Sequence, residues 1–150
     1  TPGSPGTYEQ QFYTTLGKYS EFVIANVPWV DPTTDMSKTL IRAFNKKFSG
    51  QLLELNVGFS FEACLIAADA YKRAGSAAPQ ALADALRQTN IAKHVMIGGP
   101  IQFNEKGQNV NIKSASMQNL NRRPTVVLPA GSAETKPVFP MPGWNDAQRG

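Results

Sequence analysis

Gly58-Phe59-Ser60-Phe61-Glu62 comes within one residue of the G-x-S-x-G elbow that presents a nucleophilic serine at a strand-to-helix turn. Glu62 stands where the second glycine would let that turn close tightly, and the competing role for Ser60 is to cap the helix that follows. A triad would have to recruit His94, the sole histidine. Cys64 is the sole cysteine, so the chain cannot form an internal disulfide, and Cys64 and His94 alone do not make a metal site. Gly98-Gly99-Pro100 lacks the lysine and the spacing of a phosphate loop, and Pro100 removes an amide that would cradle an anion. Glu54 and Glu62 lie near one helix start, but their spacing does not force them to face each other as an acid and a base. What remains is residues 56–61, read as an aromatic-rich turn before an apolar helix. Free amides at such an end favour a carboxylate, with Phe59 as an apolar wall. The competing reading is a capped helix with Phe59 stapled against Cys64.

The elements that position this turn follow from periodicity. Tyr8, Phe12 and Leu16 recur at helical spacing before Gly17, predicting a short helix over 7–18. Residues 22–27, apolar except for Asn26, read as a buried strand that Pro28 ends. Thr33, Thr34 or Asp35 caps a helix with Leu40, Ile41, Phe44 and Phe48 on one face and Gly50 beyond it. The next helix is predicted to start at Ser60 and end at Gly75. Its stripe of Phe61, Cys64, Leu65, Ala68 and Tyr71, widened by further alanines, predicts packing on more than one neighbour. Pro79 opens another helix carrying Leu82, Ala85 and Leu86. Residues 94–97 make a brief strand, 104–107 a turn, and 110–120 with 125–128 an antiparallel pair. The proline-rich end is an extended tail that must borrow order from a neighbour or have none.

With 150 residues, 41% of them apolar, the chain is long enough for one core. The net charge of +4 is spread along the chain, which argues against a nucleic-acid partner. No apolar run is long enough to span a bilayer. A start at Thr1-Pro2-Gly3 reads as a loop, so the chain is expected to be a piece of something longer.

The order of these segments resembles the type I periplasmic solute-binding proteins of ABC importers, the branched-chain amino acid-binding family. The resemblance rests on "GSPG" with a following helix, "SEFVIANVPW", "NVGFSFEACLIAADAYKRAGS" and "ALADALRQTN". It is completed by "VMIGGPIQFNEKGQN", similar to the family's I-G-P-hydrophobic-x-[FW]-x-x-x-G turn. It spans nearly the whole chain and implies an α/β fold of two lobes, each a parallel sheet flanked by helices, present here as its C-terminal portion. Residues 1–27 would belong to the second lobe, 28–112 to the first, and 113–150 would recross. Val27, Pro28 and Trp29, with Ile112 and Lys113, would form hinge strands.

The resemblance further implies an interlobe ligand site. Asn56, Val57, Gly58 and Phe59 would face the cleft, with Ser4, Pro5 and Tyr8 on the opposite lip. Amino acid binders of this family carry an acid in that lip loop for the ligand's ammonium, and residues 1–7 contain none. An unpaired buried ammonium would cost several kcal/mol or so. The expected ligand is therefore a small carboxylate without an amino group, an aromatic acid for choice, given Phe59, Tyr8 and Trp29. The implied role is the periplasmic, non-enzymatic receptor that delivers its solute to an ABC permease, without a cofactor. The alternatives are a ligand-sensing module of the same fold, a binder of branched-chain amino acids, and a serine hydrolase built on Ser60.

Overall fold

A computed structural model describes residues 5–149. Helices form where local signals agree. Thr34 accepts the amide of Ser37 on its hydroxyl and caps α2, Asp35–Lys47, with Asp35 in the first turn and Lys46 and Lys47 in the last, where the helix dipole favours each charge. Pro79 stands at the start of α4, Pro79–Arg87, where its missing amide costs nothing. α1 is shorter than the periodicity predicts, Gln10–Leu16, with 3-10 turns at Pro5–Tyr8 and Gly17–Ser20 on either side.

The sheet differs from the expectation. Among the described residues it is a single three-stranded antiparallel sheet in the order β1, Ile24–Pro28; β2, Ser114–Leu120; β3, Arg123–Leu128. The expected parallel sheets are not formed, so the fold is α/β without parallel pairing among these residues. Two causes are visible. Asn121 and Arg122 both adopt positive φ, 55° and 56°, in a two-residue turn whose twist suits a hairpin and forces β2 and β3 antiparallel. The long helical excursion between β1 and β2 then returns the chain opposite to β1, pairing Ile24 with Gln118 and Pro28 with Ser114. Pro124 is tolerated because β3 lies at the sheet edge.

α3 also starts earlier than expected, running Leu55–Ala74 behind Glu54. Residues 56–59 are its first turn rather than a loop before it. Gly58, expected in the turn before the helix, is inside it for steric reasons. A Cβ on Gly58 would lie 2.6 Å from Val30 Cγ2 and 2.9 Å from Met96 Sδ, so the helix approaches the core at its one side-chain-free position. The buried residues of α3 are Gly58, Glu62 and Ala70 on one line, while Phe59, Ala63, Cys64 and Tyr71 are exposed. α3 packs on α4 and on the core around Val30 and Met96, while part of its wide apolar stripe stays exposed among the described residues.

One core joins these pieces. Tyr8, Ala25, Val27, Trp29, Val30, Val95, Met96, Ile97, Ala115, Met117 and Val126 are buried together, with Leu40, Leu55 and Phe61 packed against them. The proline-rich end does borrow order: fully buried Gln118 accepts the amide of Val138 and donates to its carbonyl. Replacing Gly58 by alanine gains about 1 kcal/mol of helix propensity but overpacks the core, which costs roughly 1–3 kcal/mol. Chemical denaturation of Gly58→Ala is therefore expected to show a net loss of about 1 kcal/mol; a stabilised variant would contradict the packing described.

Candidate functional site

The residues expected at a ligand site fall into three groups. Ser4 lies outside the described residues, and Pro5 opens the first 3-10 turn. Tyr8 is not a cleft residue: it is 1% exposed, its hydroxyl donates to the Met117 carbonyl at 3.3 Å, and its ring meets Trp29 edge-on at 5.6 Å. Desolvation pushes its phenol up to about 12, as expected for a hydroxyl that stays neutral inside a core. Gly58 is likewise buried. Of the group at the start of α3, Asn56 and Phe59 are exposed and Val57 is half-buried. Ser60 is exposed within α3, so it neither caps the helix nor sits on a nucleophile elbow.

The two expected crossings are brought together. Val27 and Pro28 pair with Ala115 and Ser114. Beyond the sheet, residues 95–97 run between these two segments; the brief strand expected over 94–97 is not formed, and only an isolated bridge joins Met96 to Val30. The Ile97 amide donates to the Trp29 carbonyl at 2.9 Å, and the Lys113 amide donates to the Ile97 carbonyl at 3.0 Å. Ile112 bridges Gly98, whose Cβ, were there one, would lie 2.5 Å from the Asn111 carbonyl oxygen. Gly98 thus lets the backbones approach.

Two polar arrangements hold this region, and neither was read from the sequence. The first is reciprocal. Glu54 does not cap α3 with its side chain; instead its carboxylate accepts the Gln10 amide at the start of α1 at 3.0 Å. The Gln10 side-chain carbonyl in turn accepts the Leu52 amide at 3.0 Å. The second is an ion pair. Glu62 Oε1 lies 2.6 Å from His94 Nδ1 and accepts the amides of Val95 at 3.2 Å and Met96 at 2.9 Å. His94 Nε2 faces the Gly99 carbonyl at 2.9 Å. Burial pushes the Glu62 carboxyl up, but the bond from His94, the two amides and the imidazolium charge outweigh it and hold the group below its ordinary range. The Glu62 bond raises His94, against burial, with help from the Gly99 carbonyl and the charges of Glu62 and Asp31. A signal existed for this pair: a glutamate and a histidine each embedded in an apolar segment.

Beside the pair lies an open cavity of about 700 Å³ between α2 and residues 92–98, with Met36, Leu40, Phe61 and Met96 as its apolar lining and Asp31, Asp35 and Lys93 among its polar groups. Among the described residues no group of three or more His, Cys, Asp and Glu side chains is placed to hold a metal ion. No helix there is long and apolar enough to cross a membrane. No protein-family model matches the chain, and no curated protein matches it.

Gln10 and Glu54 are part of one reciprocal contact, so their truncations are expected to be non-additive. Glu54→Ala and Gln10→Ala should each cost about 1–2 kcal/mol, and the double variant less than their sum. Glu54→Gln, which keeps an acceptor, should cost less than Glu54→Ala. A double-mutant cycle by urea denaturation checks this, and strict additivity would contradict it.

Proposed function

We propose that this chain is part of the solute-binding receptor of an ABC importer, a two-lobed protein of the type I periplasmic class that binds a small organic carboxylate, an aromatic acid for choice, between its lobes. The observation that carries the reading is the pair of neighbouring crossings. Trp29 and Lys113 lie on either side of Ile97 and share its backbone hydrogen bonds. A hinge works in this way, with a few adjacent backbone positions absorbing the rotation while the bodies on either side stay intact. β1 leads into one crossing and β2 out of the other within a single sheet, as expected if 1–27 and 113–150 belong to one lobe and 28–112 to the other.

The contact of Gln10 with Leu52 and Glu54 then joins the two lobes at a point away from the hinge. With Tyr8 and Gly58 in the core, the ligand-facing residues reduce to Asn56 and Phe59 on the first turn of α3, which has no side-chain cap. Such an end suits a carboxylate, and Phe59 suits a ring. Residues 1–7 contain no acid to pair with an ammonium. The receptor would deliver its solute to a membrane permease from the periplasm.

A thermal-shift screen of the protein against benzoate-type acids and branched-chain amino acids tests the ligand class. A ligand that binds only the folded state, at a hundredfold excess over its Kd, adds about 2.7 kcal/mol of stability. Stabilisation by an aromatic acid that is lost in Asn56→Ala or Phe59→Ala is expected. Stabilisation by leucine and by no aromatic acid would overturn the proposed ligand class.

A further inference from the structure

We propose that Glu62 and His94 form a proton-operated clamp that ties α3 to residues 94–99 when the imidazole carries both protons and releases residues 98–99 when it loses one. The geometry of the ring carries this. Both of its nitrogens face acceptors, the Glu62 carboxylate at 2.6 Å and the Gly99 carbonyl at 2.9 Å, so both contacts are hydrogen bonds only for the imidazolium. A neutral ring has one N–H. It keeps that proton on Nδ1, toward the charged carboxylate, and turns the Nε2 lone pair on the Gly99 oxygen. The contact that fails is therefore the one to residues 98–99, the stretch whose Gly99 amide donates to Asn111 and whose Gly98 bridges Ile112. Release at His94 thus reaches the second crossing directly.

Four charged groups lie at the ring or along the cavity beside it. Glu62 comes from α3, and Asp31, from the segment after β1, adds a second negative charge that favours the imidazolium. Asp35, at the start of α2, and Lys93, next in the chain, are exposed on the wall of the neighbouring cavity with opposite signs. The direction of the pH effect follows. His94 is raised, so its contribution is complete below the ordinary value of 6.5 and is lost as pH rises through the folded value. Glu62 is lowered, so its contribution is complete above the ordinary 4.5 and is lost as pH falls through the folded value. The clamp is fully effective between those ordinary values and opens on the alkaline side. It does not depend on the proposed transport role.

The chain has one histidine, so every imidazole resonance belongs to His94. An NMR titration of the whole chain from about pH 5 upward should give a ring midpoint above 6.5, the ordinary value. The Gly99 and Lys113 amide shifts should move with that same midpoint. Glu62→Gln should lower the midpoint. If that variant does not fold, the wild-type titration still decides. A ring midpoint at or below the ordinary value, or Gly99 and Lys113 amides that ignore it, would overturn the clamp.

Discussion

Three consecutive residues, Val95, Met96 and Ile97, lie at 0–3% exposure with no regular strand beside them to take their amides. A buried amide without an acceptor costs on the order of 1–3 kcal/mol, so the fold had to provide acceptors from elsewhere. It does so from two sides. Glu62 of α3 takes the Val95 and Met96 amides on one carboxylate oxygen, and the Trp29 carbonyl takes that of Ile97. The Val95 carbonyl receives the Asp31 amide at 2.7 Å and the Ser37 hydroxyl at 3.1 Å, which anchors the start of α2. The Ile97 carbonyl receives Lys113. One short buried segment thereby fixes α2, α3 and the segments at Trp29 and Lys113 relative to each other.

The sheet uses buried polar side chains in a comparable way. Asn119, fully buried, accepts the Tyr13 hydroxyl at 2.6 Å and donates to the carbonyls of Thr7 and Ser20, binding α1 and its flanking turns to β2. Glu21 accepts the amides of Asn121 and Arg122, so the tip of the hairpin is held by the residue that leads into β1. Among the described residues no buried side-chain nitrogen or oxygen lacks a partner. Such networks favour one arrangement of the chain, because losing any one partner leaves another polar group unpaired in a low-dielectric interior.

Legibility in the sequence followed the range of the signal. The Thr34 cap, the Pro79 start, the Gly75 stop and the hairpin at Asn121 rest on contacts within a few residues, and each was readable. The first turn of α3 was not. Gly58 reads as part of a turn until Val30 and Met96 are placed against it, which is information from 28 and 38 positions away. Tyr8 reads as an aromatic available to a ligand, but its hydroxyl partner lies 109 residues on. Parallel pairing was expected from the resemblance, whereas the hairpin turn and the Ile24–Gln118 register are what the described residues adopt. Of the proposed site, the extended stretch from Pro28 to Asp31 was readable from Pro28 and Pro32, and Ile112–Lys113 was an expectation from the resemblance alone; the acceptors that hold the two segments together were not readable.

The account places residues 95–97 at the centre of the fold, and amide hydrogen exchange tests that most directly. Opening free energies within one protein range from near zero at frayed ends to the full unfolding value in the core. The Val95, Met96 and Ile97 amides are predicted to exchange in the slowest class, together with the amides of β2, although they belong to no regular strand. Exchange of these three amides at the rate of the exposed segment around Lys136 would contradict the account.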